Sequence, residues 1–136
     1  AHCIVSMKPV VPGHAKRVGR LIADMSLIKR VTVVDEGVDI HDPIHVEWAV
    51  NCHYNPVRDT MIIDNIYAGS DPSLRVVDGV KELGSKLVID ATESVDPGEL
   101  SLPSKEYMMK ALDAWKDVGL PEFDIPQRLK NQLDRS

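Results

Sequence analysis

Aromatic side chains are scarce in this chain of 136 residues, at 4% with a single phenylalanine, so any core must be built from Val, Ile, Leu and Met rather than from rings. That composition fits an α/β layer. Cysteine is equally sparse: Cys3 and Cys52 are too few for a disulfide framework and read as the reduced thiols of a cytoplasmic protein, a Cys3–Cys52 bridge being the other option. A basic excess is missing too. Sixteen Lys and Arg against 21 Asp and Glu leave a net charge of −5, which argues against nucleic acid or an anionic membrane surface as partner. No apolar run approaches the roughly 18 residues of a membrane helix, and no signal peptide opens the chain.

Motifs that carry chemistry by themselves are also absent. There is no Walker loop, no Gly-x-Gly-x-x-Gly and no Gly-x-Ser-x-Gly. The five histidines, His2, His14, His41, His45 and His53, fall into no His-Glu-x-x-His spacing, and no Cys-x2-Cys accompanies them, so no metal site is expected. Read as a stand-alone enzyme, the chain shows no apparatus.

What is there is organised around Arg30-Val31-Thr32-Val33-Val34-Asp35, a β-branched run without polar alternation, as a strand covered on both faces requires. Asp42-Pro43 then reads as an N-cap and first helical residue. A helix over about 42–52 follows, apolar around most of its circumference and so expected to be buried on more than one side. Asn55-Pro56-Val57-Arg58-Asp59 leads into a strand over 60–64, and the whole reads as a βαβ core. Upstream lie a strand over 3–7 and a helix over about 14–25. Its basic residues Lys16, Arg17 and Arg20 read as a solvated exterior rather than a phosphate surface.

Residues 65–83 show turn chemistry and little periodicity, which in a compact domain marks a functional loop or an interaction surface. Gly84-Ser85-Lys86 precedes a strand over 87–90. Ser104 opens a helix with a Met108, Ala111, Leu112, Trp115 and Val118 stripe, stopped by Gly119 and Pro121; a short helix over about 126–133 offers only Leu129 and Leu133, and must dock to persist. The expected fold is α/β, a mostly parallel sheet flanked by helices, with a C-terminal helical extension: a domain over 1–120 and a tail over 121–136. A strand beginning almost at Ala1 suggests a piece of something larger.

Asp35, Glu36 and Asp64 at strand ends, with Lys86, admit a second reading as a receiver-like signalling module. Against it, Lys86 precedes its strand and Asp64 leads into a loop. Read together, Val33-Val34-Asp35-Glu36, Val38-Asp39-Ile40-His41-Asp42, Val46-Glu47-Trp48-Ala49, Asn55-Pro56-Val57-Arg58-Asp59 and Gly84-Ser85-Lys86-Leu87-Val88-Ile89-Asp90-Ala91-Thr92 resemble the C-terminal domain of the UbiD family. Ile4-Val5-Ser6-Met7-Lys8 and Pro12-Gly13-His14-Ala15-Lys16 are similar to it as well. Asn55 stands where that family more often has aspartate, and keeps the turn chemistry.

The resemblance implies a non-oxidative, reversible decarboxylase of aromatic or unsaturated carboxylic acids, using prenylated FMN with Mn2+ held by a region upstream of this one. This domain would mainly build the homo-oligomer, and alone it would be inactive and carry no cofactor. Its implied contributions are Lys86 near the cofactor phosphate, the alternative being a surface lysine in a turn, and a substrate loop of Ala91, Thr92, Glu93 and Ser94.

Overall fold

The structure, a computed structural model, describes residues 1–25, 27–68, 71–92 and 103–121 with Ile125 and Lys130. It divides into two compact units, Ala1–Ser94 and Val95–Ser136. The first holds a four-stranded sheet of β1 (His2–Met7), β2 (Arg30–Asp35), β3 (Thr60–Ile66) and β6 (Gly84–Ala91), in the order β1-β2-β6-β3. The strands β1, β2 and β6 run parallel, and β3 pairs antiparallel on the outside of β6.

That last pairing corrects part of the βαβ expectation. It is met by β1, the helix α1 (His14–Ala23) and β2, which are parallel neighbours. After β2 the chain passes through α2 (Pro43–His53) and the single turn α3 (Pro56–Asp59), then enters β3 in the opposite direction. Asn55 starts α3 at the C-terminal end of β6, so β3 can only run back along it.

Each face of the sheet has its own core. On one, Ala15 and Ala23 of α1 meet Val31, Val33, Ile63 and Val88. On the other, Val46 and Ala49 of α2 meet Val34, Val38 and Ala91. Val31, Val33, Val34 and Val88 are fully buried, as an unalternated β-branched run requires. Gly19 lets α1 approach closely: a Cβ there would lie 2.4 Å from Val88 Cγ1. Helix α2 buries one side only, leaving Ile44 exposed, so its apolar circumference exceeds what this sheet covers. Asp42 caps it, Oδ1 accepting from the Ile44 N–H at 2.9 Å.

Residues 65–83 contain a hairpin, β4 (Val76–Val77) with β5 (Val80–Lys81). Asp78 and Gly79 both adopt positive φ, 51° and 77°, as the tight turn joining right-twisted strands demands. Asp-Gly between Val76-Val77 and Val80-Lys81 was the available signal, and the weak periodicity around it concealed it. In the second unit, α4 (Lys105–Asp117) has no buried residue, and Gly119 with φ 68° follows it. The expected helix over 126–133, with Leu129 and Leu133, lies outside the described residues.

Candidate functional site

The sites expected on β6 lie at its two ends. Lys86 and Ala91 are five residues apart, roughly 16 Å along a strand. They also point to opposite faces: Lys86 toward the end of α1, Ala91 into the core under α2.

At the N-terminal end of β6, Lys86 is buried, with 3% of its surface exposed, which removes the surface-lysine alternative. Its Nζ donates to Ala23 O at 2.5 Å and Met25 O at 2.7 Å, the carbonyls that end α1. Those carbonyls carry the negative end of the helix dipole and lack partners within the helix, so a cation is favoured there. Beyond them the ammonium has no carboxylate partner among the described residues, and one N–H remains. A cavity of about 250 Å³ opens beside it, lined by Leu27, Ile28, Ala68 and Pro72 and by Ser85 and Lys86. Lys29, at its rim, is taken up by Asp71 at 2.9 Å and by Ser73 Oγ at 2.6 Å. Lys29 and the Ser73 N–H and hydroxyl hold the Asp71 carboxyl far below the usual carboxylate range.

At the C-terminal end, Asp90 Oδ1 accepts from the Thr92 N–H at 3.2 Å and its hydroxyl at 2.6 Å, fixing the exit from the strand. Ala91 is buried and Thr92 half-buried; Glu93 and Ser94 lie outside the described residues. Beside this exit sits a group that the sequence reading passed over except as a motif. Arg58 Nε and a terminal nitrogen both bond Asp59, at 2.7 Å each. Asp59 also accepts the Asn55 N–H at 2.8 Å, while Asn55 Oδ1 accepts the N–H groups of Val57 and Arg58. This is a reciprocal cap of one turn. Lys16, from the first turn of α1, donates to Arg58 O. The bonds from Arg58 lower the Asp59 pKa first, with the Asn55 N–H and nearby Lys16 adding to them against the opposing effect of burial. The available signal was asparagine followed by Pro and, four residues on, by aspartate.

The receiver-like arrangement does not assemble. Asp35 ends β2 opposite Met7 and beside the Ala91 end, Asp64 lies within the antiparallel β3, and Lys86 is at the far end of the sheet. No group of three His, Cys, Asp or Glu among the described residues could hold a metal ion. Cys3 and Cys52 are free thiols. No helix among the described residues is long and apolar enough to cross a membrane.

The fold is that of a mixed α/β domain, with polar groups gathered at both ends of the central strand β6. The family is more specific: the 3-octaprenyl-4-hydroxybenzoate carboxy-lyase C-terminal domain matches residues 1–91, and the chain belongs to that family. It is similar to the UbiD-class enzyme HmfF from Pelotomaculum thermopropionicum in complex with FMN, at 31% identity and a TM-score of 0.62, over 81% of this chain and 25% of that one. An evolved dimeric form of HmfF in complex with prFMN gives 30% and 0.55, over 77% and 21%. Vanillic acid decarboxylase from Sedimentibacter hydroxybenzoicus, in closed form, gives 31% and 0.64, over 83% and 26%. The chain thus spans about a quarter of the length of these relatives.

Proposed function

We propose that this chain is the C-terminal domain of a cytoplasmic, prenylated-FMN-dependent carboxy-lyase that removes or adds carbon dioxide at an aromatic or unsaturated carboxylic acid. Its relatives support the reading: one is a vanillic acid decarboxylase and one a UbiD-class enzyme in complex with prFMN. The observation that carries the cofactor assignment is Lys86, a buried ammonium with no carboxylate partner among the described residues, at the wall of a cavity of about 250 Å³. A buried charge is costly unless compensated. The α1 carbonyls compensate part of it, and a phosphate accepting the remaining N–H supplies the rest.

The cofactor, where bound, would supply the chemistry of carbon dioxide loss. This chain's residues position and polarise. Lys86 holds the phosphate end, and the segment Ala91, Thr92, Glu93 and Ser94 lines the substrate, its start fixed by the Asp90–Thr92 bonds. The Mn2+ ligands are assigned to the remainder of the polypeptide, the described residues here being unfit for a metal. The domain's further role is to join copies into a homo-oligomer.

Two preparations test this. The longer polypeptide carrying this chain, supplied with prenylated FMN and Mn2+, is expected to release carbon dioxide from an aromatic or unsaturated acid. The 136-residue chain alone is expected to release none and to emerge colourless from gel filtration after incubation with the cofactor. No turnover across a panel of such acids overturns the activity; a stoichiometrically yellow short chain overturns the division of labour.

A further inference from the structure

One row of side chains crosses all four strands near the start of the parallel ones. His2 of β1 pairs with Arg30 of β2, Arg30 with Leu87 of β6, and Leu87 with Ile62 of β3. Side chains alternate along a strand, so this row shares the face of Ile4, Val34 and Ala91, the face that α2 covers. The core under α2 reaches Ile4 and Ile89, one pleat further along, and does not include the row. Leu87 and Ile62 therefore floor an open groove of about 580 Å³ beside His2 and Arg30, and Ile62 is 69% exposed.

Arg30 is not a loose surface cation. Its Nη2 donates to His2 Nδ1 at 2.9 Å, and His2 Nε2 donates to Thr32 Oγ1 at 2.9 Å. A guanidinium can only donate, so Nδ1 is the bare ring nitrogen and Nε2 carries the proton. Burial first, and then Arg30, push the His2 pKa below its ordinary value against the opposing carboxylate of Glu47, which agrees with a neutral ring. Thr32 is 2% exposed, so these bonds tie an exposed guanidinium to the sheet interior. Nη2 gives one N–H to His2; its other N–H completes a fork with Nε or Nη1, and Arg30 pairs with no carboxylate among the described residues.

We infer that this row is a binding site for an aromatic carboxylic acid, its carboxylate held by the Arg30 fork and its ring laid over Leu87 and Ile62. Two strand spacings, roughly 10 Å, separate the Arg30 strand from the Ile62 strand, the span of a molecule the size of benzoate. A planar fork matches a carboxylate, and fixing it beforehand lowers the ordering cost of binding. His2 is a positioning residue. The ligand class is that of the substrates proposed above, but the row lies at the other end of β6 from Ala91 and on the opposite face from Lys86, so this is a second site.

Binding is read on the 136-residue chain by titrating benzoate, benzamide and acetate while following amide NMR resonances, with circular dichroism reporting the fold. Benzoate is expected to saturate and to move the amides of the row. Benzamide, which lacks the charge, and acetate, which lacks the ring, should each bind at least about 10-fold more weakly. Arg30→Met should weaken benzoate by roughly 10- to 150-fold, the value of one hydrogen bond to a charged group. His2→Leu should weaken it by less, and His2→Gln should restore it, because an amide can accept from Arg30 and donate to Thr32. Benzamide binding as well as benzoate, or Arg30→Met binding as wild type does, overturns the site; a loss in His2→Leu that glutamine does not restore overturns the positioning role. In the longer polypeptide an equivalent of bound benzoate should vanish with Arg30→Met, and the lack of any such equivalent would show the row covered by the remaining chain, which overturns the site there. Arg30→Met leaves the Lys86 bonds in place, so turnover and flavin retention report separately on the carboxy-lyase reading.

Discussion

Two cations flank the central strand, and they are held in opposite ways. Lys86 is buried and bonded only to the carbonyls ending α1, with no carboxylate among the described residues. The Arg58 side chain keeps 65% of its surface in solvent and is chelated by Asp59. A solvated guanidinium needs no counter-ion, so the Arg58–Asp59 pair is chiefly a device of local geometry that closes a turn. A buried ammonium does need compensation, and two backbone dipoles are an incomplete form of it. The contrast separates a residue that organises the chain from one whose surroundings call for an anion.

The sharpest way to break the comparison is Lys86→Met. Methionine fills similar space but takes the ammonium donor from the Ala23 and Met25 carbonyls, leaving Met25 O with the Ile28 N–H at 3.1 Å. Bonds to a charged group contribute about 1.5–3 kcal/mol each, offset by relief of the buried charge. A net loss of about 2–3 kcal/mol is expected, read as a lower urea midpoint with unchanged slope. In the longer polypeptide, flavin bound per subunit after dialysis should fall by roughly 10- to 150-fold, the value of one charged hydrogen bond. A variant that loses stability yet retains its flavin confines Lys86 to ending α1.

The same contrast explains how far the sequence could be read. The β-branched run of β2, the Asp42 cap and the Gly-Ser-Lys strand are local signals whose period or chemistry survives folding, so the sheet, its flanking helices and its mostly parallel order were legible. The direction of β3 was not, because an edge strand covered on one face carries no mark of polarity. Nor was the environment of Lys86. A lysine following Gly-Ser looks like a turn residue, and only the return of α1 over β6, some 60 positions away in sequence, shows that two helix-end carbonyls await it. Arg58 and Asp59 were visible as residues and hidden as a pair, since adjacent charges are usually solvated separately.

Asp59→Asn tests the opposite end and should cost less. The amide keeps one acceptor for the Asn55 N–H but cannot chelate Arg58, for an expected loss of about 1–2 kcal/mol at pH 7. Its pH dependence follows from the direction of the shift. The folded carboxyl titrates below its unfolded value of about 4, so its stabilisation is complete above that value and disappears as pH falls through the lower, folded one. Asp71 and Glu82 are depressed likewise and remain in the variant, so both proteins weaken in acid. Urea midpoints at pH 7, 5 and 3 should therefore converge. A gap that does not narrow between pH 5 and pH 3 would assign the loss to packing rather than to the carboxylate charge.

The smallest effect is expected from Arg58→Ala, which removes the cation and leaves its partner in place. Asp59 keeps the Asn55 N–H and the nearby charge of Lys16, and the guanidinium was already solvated, so the midpoint should fall by less than in Asp59→Asn. The informative quantity is the Asp59 carboxyl itself. Losing its largest depressing influence, it should titrate closer to an ordinary aspartate, visible as a shift of its carboxyl carbon resonance to higher pH. The stability lost in acid through this carboxyl should be correspondingly smaller, and its loss complete at a higher pH. Added salt should reproduce little of this in the wild-type protein, because a bidentate contact at 2.7 Å against a nearly buried carboxylate is far shorter than the screening length of about 8 Å at physiological ionic strength. An Asp59 resonance that titrates identically in the two proteins would show that the Asn55 cap, not Arg58, sets its charge, and the pairing at this end of β6 would reduce to a neighbouring contact on one turn.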